Sequence, residues 1–418
     1  MNAKNSLKTT KILIVVGARP NFMKVAPILR AIAEHNNKGQ KPFLAQLLVH
    51  TGQHYDELMS DRFFSDLGLP DPDFHLGVGS STQSNQTAET LERFGEVLKR
   101  ETPDVVVVVG DVNSTLACAL ATAKLSLNPG ERRPLLAHVE AGLRSFDRGM
   151  PEEINRIVTD QLSDLLFVTE KSGIVNLRRE GIPAKNAFFV GNTMIDSLFA
   201  FEEYADKSTI LEKLELNGKA SQGKGEPRSG PYALLTLHRP SNVDDPNVLR
   251  GVLQGLSELS RKMPIIFPVH PRTRKRMEAF GGEFTGSNEG SRERKGIRLI
   301  EPLGYLDFVC VMKNARLILT DSGGIQEETT CLGVPCVTIR NSTERPVTIK
   351  HGTNVLAGTS RAGIRQSIAR QLSRKLKPCM PEKWDGRAAE RIVEILAKSV
   401  RPSCHAEKEL ATREVTVG

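Results

Sequence analysis

Short runs of β-branched and other apolar residues alternate along this chain with longer stretches in which apolar residues recur at helical spacing. Gly, Pro, Asn or Asp bounds the short runs. This alternation is typical of βα units around a parallel sheet. Five successive valines, at 105–109, predict a strand buried on both faces. The strands predicted in the first half of the chain are 11–16, 44–50, 104–109, 135–139, 165–169 and 187–190.

A second βα block follows a segment of different composition. Residues 216–230, rich in Gly, Lys and Ser, predict a flexible surface segment near a domain junction. Residues 280–295 predict an inserted polar loop, and residues after about 401 predict a disordered tail. The strands predicted in this block are 232–237, 264–269, 297–300, 315–319 and 335–339.

These elements predict an α/β protein with two Rossmann-like, doubly wound domains that face each other across a cleft. Two domains are expected because 418 residues exceed what one hydrophobic core usually organises. Ligands of doubly wound sheets bind outside the carboxyl ends of the strands, so the loops there are the candidate site. We expect an N-terminal domain at 1–205, a C-terminal domain at 206–383, a helix at 384–400 that packs back on the N-terminal domain, and a tail at 401–418.

Composition narrows the function classes. The net charge of +8 comes with modest basic clusters, at 272–276, 291–295 and 374–377, and no nucleic-acid-binding motif accompanies them. We therefore expect no nucleic-acid partner. The six cysteines form no CxxC pair, so neither a metal nor a redox motif is indicated. No apolar stretch approaches the roughly 18 residues of a membrane span, and we expect a cytoplasmic protein with no membrane partner.

The turn after the first predicted strand has the residues of an anion site. It reads Gly17-Ala18-Arg19-Pro20, and it places Arg19 and Lys24 near the start of the next helix. The free N–H groups and the dipole of a helix N-terminus favour anions. Taken alone, the turn also fits a simple Gly-Pro turn with solvated cations.

A turn in the second block has stronger features of a diphosphate site. Residues 320–328 follow a predicted buried strand and open a helix. Two glycines allow close backbone approach, and Ser322 with the free N–H groups can hold a diphosphate. Of Glu327 and Glu328, one can complement the helix dipole while the other accepts a ribose diol. A helix cap without a ligand is the alternative, and no G-x-G-x-x-G fingerprint of dinucleotide binding follows strand one.

Basic residues follow two predicted strands of the second block. His238-Arg239 and His270-Pro271-Arg272 lie just past strand ends, where side chains would project into the expected cleft. A single histidine at a strand end is more often structural. Two basic pairs at equivalent positions of one domain favour phosphate contacts.

Acidic residues cluster at strand and helix ends of the first block. Asp111 ends the five-valine strand, Glu140 ends the next strand, and Glu152 and Glu153 start the following helix. Three of these carboxylates can converge on one substrate, as proton transfer at carbon requires. Each also fits a helix cap or dipole partner, and Glu153 is assigned that structural role.

The ordered motifs of the chain resemble those of the non-hydrolysing UDP-N-acetylglucosamine 2-epimerases, from about residue 11 to residue 359. The resemblance is specific because many short motifs occur in the same order. They are Gly17-Ala18-Arg19-Pro20, Thr51-Gly52-Gln53-His54, Gly110-Asp111, residues 138–144, residues 151–156, Gly191-Asn192-Thr193, residues 320–328 and Thr343-Glu344-Arg345-Pro346.

The resemblance implies a GT-B-like fold, a homodimer, and a UDP-sugar substrate whose UDP lies mainly on the C-terminal domain. It implies that Glu328 accepts the ribose diol. The other residues that look like UDP contacts are Arg19, His238, Ser322, Gly323, Gly324 and Arg345. Those that look like the catalytic surroundings of the sugar are Lys24, Asp111, Glu140, Glu152 and Arg156, with His238 helping UDP to leave.

The implied reaction explains why so many charged groups are needed. The hydrogen on carbon 2 lies next to no carbonyl, so it must be acidified by departure of UDP from carbon 1. Loss of that proton gives a 2-acetamidoglucal, and re-addition of UDP with protonation from the other face gives the epimer. Neither a nicotinamide nor a metal cofactor is required by this route.

Some motifs depart from the best-known family members. Met150 precedes Pro151-Glu152-Glu153 where those members commonly have tryptophan, and residues 145–148 also differ. Such sequences look similar to a subgroup that includes epimerases of UDP-2,3-diacetamido uronic acids. Gln53 and His54 match part of a site where some members bind a second substrate molecule, so they are candidate allosteric residues.

Four other functions stay open from the sequence. They are a 2-epimerase of UDP-2,3-diacetamido-2,3-dideoxy-glucuronate, a hydrolysing epimerase, a GT-B glycosyltransferase and a non-catalytic nucleotide-sugar binder. The three acids at the strand ends favour proton chemistry over glycosyl transfer or binding alone.

Overall fold

A computed structural model describes residues 9–52, 68–125, 132–216, 231–269, 271–279, 296–374 and 379–399. The chain divides into two compact units. The first contains the described residues up to Ser197 together with 383–399, and the second runs from Leu198 to Glu382. The sequence had suggested a division after residue 205.

The first unit is a seven-stranded parallel sheet with helices between the strands. Its strands are β1 (Thr9–Val16), β2 (Phe43–His50), β3 (Phe74–His75), β4 (Val105–Val109), β5 (Leu135–Ala141), β6 (Leu165–Val168) and β7 (Ala187–Phe189). Its helices are α1 (Arg19–Asn37), α2 (Gln83–Glu101), α3 (Asn113–Ala123), α4 (Pro151–Leu162), α5 (Lys171–Arg179) and the start of α6 (Thr193–Ala205). A 3₁₀ turn spans Ala184–Asn186.

The second unit repeats the design with six parallel strands. They are β8 (Ala233–Thr236), β9 (Ile265–Pro268), β10 (Ile297–Ile300), β11 (Leu317–Thr320), β12 (Cys336–Thr338) and β13 (Asn354–Leu356). After α6, the helices are α7 (Ile210–Lys213), α8 (Pro240–Val243), α9 (Pro246–Lys262), α10 (Pro271–Ala279), α11 (Tyr305–Asn314), α12 (Gly323–Leu332), α13 (Pro346–Lys350) and α14 (Arg361–Ser373). The chain then ends its described part with α15 (Ala388–Ser399), which belongs to the first unit.

The strand orders identify both sheets as doubly wound. The first sheet runs β3-β2-β1-β4-β5-β6-β7, and the second runs β10-β9-β8-β11-β12-β13. The order therefore reverses between β1 and β4 and again between β8 and β11, where Rossmann-like sheets bind their ligands. These orders confirm the predicted α/β class with two Rossmann-like domains. Proteins with a GT-B-like fold contain two domains of this type.

Burial follows the hydrophobic pattern of the sequence. All five valines of β4 are at most 1% exposed, because helices cover both faces of the sheet. In the first unit, Leu13, Val106 and Phe94 pack in one buried cluster. In the second, Leu235, Leu319 and Leu256 pack in another. Each sheet therefore has a core of its own.

Local capping signals explain where several helices begin and end. The side chain of Asp245 accepts the N–H of Asn247 at 2.8 Å and starts α9. Pro151 opens α4, where its fixed φ is compatible with the first turn. Helix α12 ends at Gly333, whose φ of +67° is a left-handed conformation that glycine adopts readily.

All eleven predicted strands occur, and two short ones were not predicted. Strand β3 has two residues and β13 has three. Two residues show no alternation, and β13 begins with Asn354, a residue type depleted in strands. The expected polar loop at 280–295 and the expected tail at 401–418 lie outside the described residues, as does most of the expected linker. None of the described helices is long and apolar enough to cross a membrane.

Candidate active site

Three loops of the first unit meet at Gly17, where β1 ends. The hydroxyls of Thr51 and Ser114 hydrogen-bond to each other at 2.7 Å beside it. A Cβ at Gly17 would lie 2.4 Å from the Ser114 hydroxyl, so no larger residue fits without a shift. Asn21 accepts the N–H of Ala18 at 3.0 Å and donates to the carbonyl of Val109 at 2.8 Å. These contacts fix the start of α1 against the end of β4, at the switch point of the sheet.

Lys24 and Glu140 form a buried ion pair at this edge. Their side chains are only 5% and 4% exposed. Glu140 has a φ of +75°, which is rare for a residue with a side chain, and it lies where the β5–β6 pairing shifts register. The irregularity turns the carboxylate toward Lys24. A Cβ at Gly110 would lie 3.1 Å from the Lys24 ammonium, so Gly110 leaves room for that ammonium.

Asp111 is held from α4. Its carboxylate pairs with Arg156, and its carbonyl oxygen accepts a hydrogen bond from Asn155 at 2.9 Å. The Asp111 side chain is 22% exposed, whereas that of Arg156 is 2% exposed. A buried cation thus orients a carboxylate that still reaches solvent, as a group that must meet a substrate requires.

Glu152 and Glu153 are neighbours with different environments. Glu153 is 1% exposed and accepts the N–H of Ser145 at 3.0 Å and the N–H of Phe146 at 2.8 Å. It also pairs with Arg156 at 2.8 Å. Glu152 is half-buried, and its carboxylate has no hydrogen bond or ion pair among the described residues. Glu153 therefore anchors the loop before α4, while Glu152 is available to a substrate.

A buried charge network lies beneath these acids. His138 contacts Asp160 through Nδ1 at 2.7 Å and the carbonyl oxygen of Gly110 through Nε2 at 2.8 Å. Asp160 also pairs with Arg144 at 2.7 Å, and Arg144 reaches Glu180 at 2.6 Å. Burial alone would raise the pKa of Asp160, but the charges of His138 and Arg144 bring that pKa below its usual value.

In the second unit, Asp321 organises the loop after β8. It follows β11 and is fully buried. Its carboxylate accepts the backbone N–H groups of His238, at 3.1 Å, and Arg239, at 2.9 Å, and the Asn242 amide at 3.1 Å. It also faces Nδ1 of His238 at 3.0 Å. This contact uses Nδ1, so it orients the half-exposed imidazole and leaves Nε2 unused by Asp321. Burial favours a high pKa for Asp321, but His238 and these N–H groups lower it.

The N-terminus of α12 has the shape of an anion site. Its cap residue Ser322 makes no side-chain cap hydrogen bond. A Cβ at Gly323 would lie 2.6 Å from a guanidinium nitrogen of Arg345, so the glycine permits a cation beside the helix N-terminus. Arg345 is buried and pairs with Glu344 and, at 2.8 Å, with Glu327. The N–H groups and a positioned cation are the usual elements of phosphate recognition.

Glu328 is buried one turn further along α12. The hydroxyl of Tyr305 donates to its carboxylate at 3.2 Å. Burial raises the pKa of Glu328 to about 8; the Tyr305 hydrogen bond opposes that rise and neighbouring Glu327 adds to it. The carboxylate accepts this one hydrogen bond from Tyr305, and its remaining lone pairs can accept the two hydroxyls of a diol.

The structure gathers the expected residues into two groups, one in each unit. In the first unit, Lys24 contacts Glu140 and Arg156 contacts Asp111, and Glu152 lies in the first turn of α4. In the second unit, Ser322 caps α12, which contains Gly323, Gly324 and Glu328, and Arg345 lies beside Gly323. His238 contacts Asp321, the residue before Ser322. Gln53, His54, His270 and the side chains of Arg19 and Arg272 are outside the described part. Within that part, no group of three or more His, Cys, Asp or Glu could hold a metal ion.

Sequence reasoning missed the residues that support the site. Asp321 lies inside the predicted anion turn, but no pattern in the sequence assigned it a function of its own. A usable signal is that Asp321 directly follows β11, whose neighbour β8 is followed by His238. His138 and Asp160 are 22 positions apart, and no local pattern links them. Tyr305 and Asn155 also contact predicted residues from other elements.

Comparison with known proteins agrees with this geometry. The family model described as UDP-N-acetylglucosamine 2-epimerase matches residues 37–397. A UDP-N-acetylglucosamine 2-epimerase of Methanocaldococcus jannaschii is 41% identical over 92% of this chain and 98% of its own. A UDP-2,3-diacetamido-2,3-dideoxy-D-glucuronate 2-epimerase of Pseudomonas aeruginosa is 39% identical over 93% and 99%.

A solved structure is similar over nearly the whole chain. It is that of the Methanocaldococcus jannaschii UDP-GlcNAc 2-epimerase in complex with UDP-GlcNAc and UDP, with 40% identity and a TM-score of 0.81. The similarity covers 93% of this chain and 100% of that one. The chain therefore belongs to the UDP-N-acetylglucosamine 2-epimerase family and is an isomerase, as its motifs predicted.

Proposed function

We propose that the protein interconverts UDP-GlcNAc and UDP-ManNAc by eliminating UDP and adding it back to the opposite configuration at carbon 2. The observation that carries this proposal is the arrangement of acids in the first unit. Asp111 follows β4 and Glu140 lies near the end of the neighbouring strand β5. Each is oriented by a buried cation, Arg156 or Lys24. Oriented carboxylates of this kind suit proton transfer at carbon.

The second unit supplies the groups that a departing diphosphate needs. The N-terminus of α12 offers N–H donors beside Ser322, and His238 presents its imidazole on the neighbouring loop. These groups would stabilise the negative charge that develops on UDP as the bond from carbon 1 to oxygen breaks. Glu328 would accept the two ribose hydroxyls and set the register of the nucleotide.

The reaction then balances without a redox partner. As UDP leaves with the bonding electron pair, carbon 1 gains oxocarbenium character and the carbon 2 hydrogen becomes acidic. A carboxylate takes that proton, and a double bond forms between carbons 1 and 2. On return, UDP attacks carbon 1 while a carboxylic acid protonates carbon 2 from the other face. Asp111, Glu140 and Glu152 are the candidates for these two transfers.

A second substrate has support of its own. The Pseudomonas aeruginosa relative is named for UDP-2,3-diacetamido-2,3-dideoxy-D-glucuronate and is about as similar to this chain as the UDP-GlcNAc epimerases are. Met150 and residues 145–148, next to Glu152, are the positions where the motifs depart from the common pattern. We therefore keep this sugar as the alternative substrate of the same site.

The direct test uses proton NMR in deuterated water. The purified protein is incubated with UDP-GlcNAc without added cofactor, and the carbon 2 and anomeric signals are followed. We expect UDP-ManNAc with deuterium at carbon 2. Asp111→Asn, which keeps the shape of the side chain, is expected to lose exchange and epimerisation together. Exchange only with the diacetamido glucuronate substrate would move the assignment to that sugar, and exchange with neither would refute the proposal.

The quaternary state and location are proposed on the motif resemblance. We expect a cytoplasmic homodimer that takes a UDP-sugar and no nucleic acid. Light scattering coupled to size-exclusion chromatography would distinguish about 92 kDa from the 46.0 kDa of one chain.

A further inference from the structure

His138 and Asp160 form a buried pair that the reaction described above does not use. Both side chains are fully buried. The carbonyl oxygen of Gly110 can only accept a hydrogen bond, so Nε2 of His138, at 2.8 Å from it, carries a proton. Asp160 Oδ2 accepts the N–H of Gly142 at 3.0 Å and the Arg144 guanidinium at 2.7 Å. Such contacts favour an ionised carboxylate, so Nδ1 also donates.

The pair touches the backbone beside both oriented acids. His138 donates to the carbonyl of Gly110, the residue before Asp111. Asp160 accepts the N–H of Gly142, two residues after Glu140. Gly110 has a φ of +71° and Gly142 a φ of +80°, so each bond holds a turn rather than a strand. One ion pair therefore ties together the turn that carries Asp111 and the turn that directly follows Glu140 and the end of β5; we call these the Asp111 turn and the Glu140 turn.

We propose that the His138 imidazolium and the Asp160 carboxylate act as a positioning pair that fixes the Asp111 turn relative to the Glu140 turn. This inference rests on the proposed proton transfer by those acids. Displacing a reacting group by about 1 Å can cost about 100-fold in rate. The pair would therefore act on kcat through the geometry of the acids, without touching the sugar.

Two substitutions of His138 test its two hydrogen bonds, to Gly110 and to Asp160, separately. In His138→Gln, the amide nitrogen takes roughly the place of Nε2 and can still donate to Gly110. In His138→Asn, it takes roughly the place of Nδ1 and can still donate to Asp160. Both variants lose the charge and keep one bond. We expect kcat per folded molecule to fall in both variants, by up to about 100-fold, with KM within about threefold.

The controls identify a merely structural role. His35→Gln removes a buried histidine of α1 that contacts the carbonyl of Pro42, and it should leave kcat per folded molecule unchanged. Wild-type kcat values in both His138→Gln and His138→Asn would overturn the proposal.

Nitrogen-15 NMR tests the protonation state independently of activity. The signals of His138 are assigned, among the nine histidines, by their absence from His138→Gln. We expect both ring nitrogens to carry a proton, because each of them faces a hydrogen-bond acceptor. A single protonated nitrogen would overturn the imidazolium assignment. If the wild-type protein epimerises neither sugar, the proposed function fails while this measurement still decides the state of the pair.

Discussion

Lys24 and Glu140 compensate each other's charge inside the first unit. Removing only the ammonium leaves a buried carboxylate without that partner, which typically costs about 3–5 kcal/mol. We expect Lys24→Met to lower the free energy of unfolding by this amount. Urea unfolding of the variant and the wild type, followed by circular dichroism, measures the difference.

The double variant Lys24→Met/Glu140→Gln is the control for that prediction. It removes both charges, so it should recover much of the lost stability, since replacing a whole buried pair is often neutral. A double variant as unstable as Lys24→Met alone would mean that packing, and not the charge, accounts for the loss.

We expect UDP binding to change the protonation state of Glu328. Its pKa of about 8 lies above the usual carboxyl value, so the ligand-free side chain is mostly protonated at pH 7. Accepting two ribose hydroxyls requires the carboxylate, so binding should release a proton at pH 7. Affinity should rise as the pH approaches 8 and level off above it. By the same linkage, the ligand-free protein loses stability as the pH rises from 4.5 through about 8.

Calorimetry measures this linkage directly. Titrations with UDP in buffers of different ionisation enthalpy give the number of protons released. Glu328→Gln, which keeps the size and cannot ionise, should release fewer protons, by close to one at pH 7. If that variant and the wild type release the same number, Glu328 is not the group that titrates.

At the scale of single elements, the start of α12 requires a residue without a side chain at position 323. In Gly323→Ala, the new Cβ would lie 2.6 Å from Arg345 and 2.8 Å from Glu344. The helix start and its cation must then move apart. We expect UDP affinity to fall by about 10–100-fold, the equivalent of one hydrogen bond to a charged group. Isothermal titration of UDP measures the change.

Gly251 is a matched control in the same unit. It lies inside α9, and a Cβ there would meet nothing within 4 Å. Gly251→Ala should raise stability by about 0.4–1 kcal/mol, because alanine restricts the unfolded chain, with UDP affinity unchanged. A Gly323→Ala protein that binds UDP as tightly as Gly251→Ala would show that the helix start tolerates a methyl group.

Strand positions could be predicted because burial and pattern agree. The five valines of β4 can only be a strand covered on both faces, and the structure leaves them at most 1% exposed. Strand β3 escaped prediction because it has two residues, and β13 because one of its three residues is Asn354, a residue type depleted in strands. Their pairing partners, β2 and β12, provide the edge on which they form, and that information is not local.

The candidate site was predictable only where it lies in turns. Asp111 and Ser322 come two residues after strands and Glu140 is the next-to-last residue of one, so their chemistry and place could be inferred together. The partners that orient them come from helices and distant loops, as Arg156 does for Asp111. Glu140 also needs its φ of +75°, which no propensity predicts for glutamate.

At the scale of the whole molecule, the end of the described chain completes the first unit. Trp384 is 1% exposed and donates to the carbonyl of Thr169 at 2.9 Å. Asp196 accepts the N–H groups of Ala388, at 3.2 Å, and Ala389, at 2.7 Å, and so caps α15. Helix α15 packs against α1. A carboxylate from α6 therefore holds the first turn of α15.

The fluorescence of Trp384 tests this attachment, because it is the only tryptophan of the chain. Asp196→Ala removes the cap and should lower stability by about 0.5–2 kcal/mol, which shifts the fluorescence transition to lower urea. Asp385→Ala, which breaks a half-exposed pair with Arg391, should shift it by under about 1 kcal/mol. A larger shift for Asp385→Ala than for Asp196→Ala would contradict the capping role.

The return of the chain to its first unit imposes an order on biosynthesis. Residues 198–382 are continuous and can bury their core soon after they leave the ribosome, whereas the first unit waits for residues 383–399. The 185 residues from 198 to 382 separate the two parts of that unit. Their translation takes about 10–40 s at ~5–20 residues per second. During that interval, the apolar surface that Trp384 and α15 later cover is open to water. That exposed apolar surface is the site at which we expect a chaperone to bind the nascent chain.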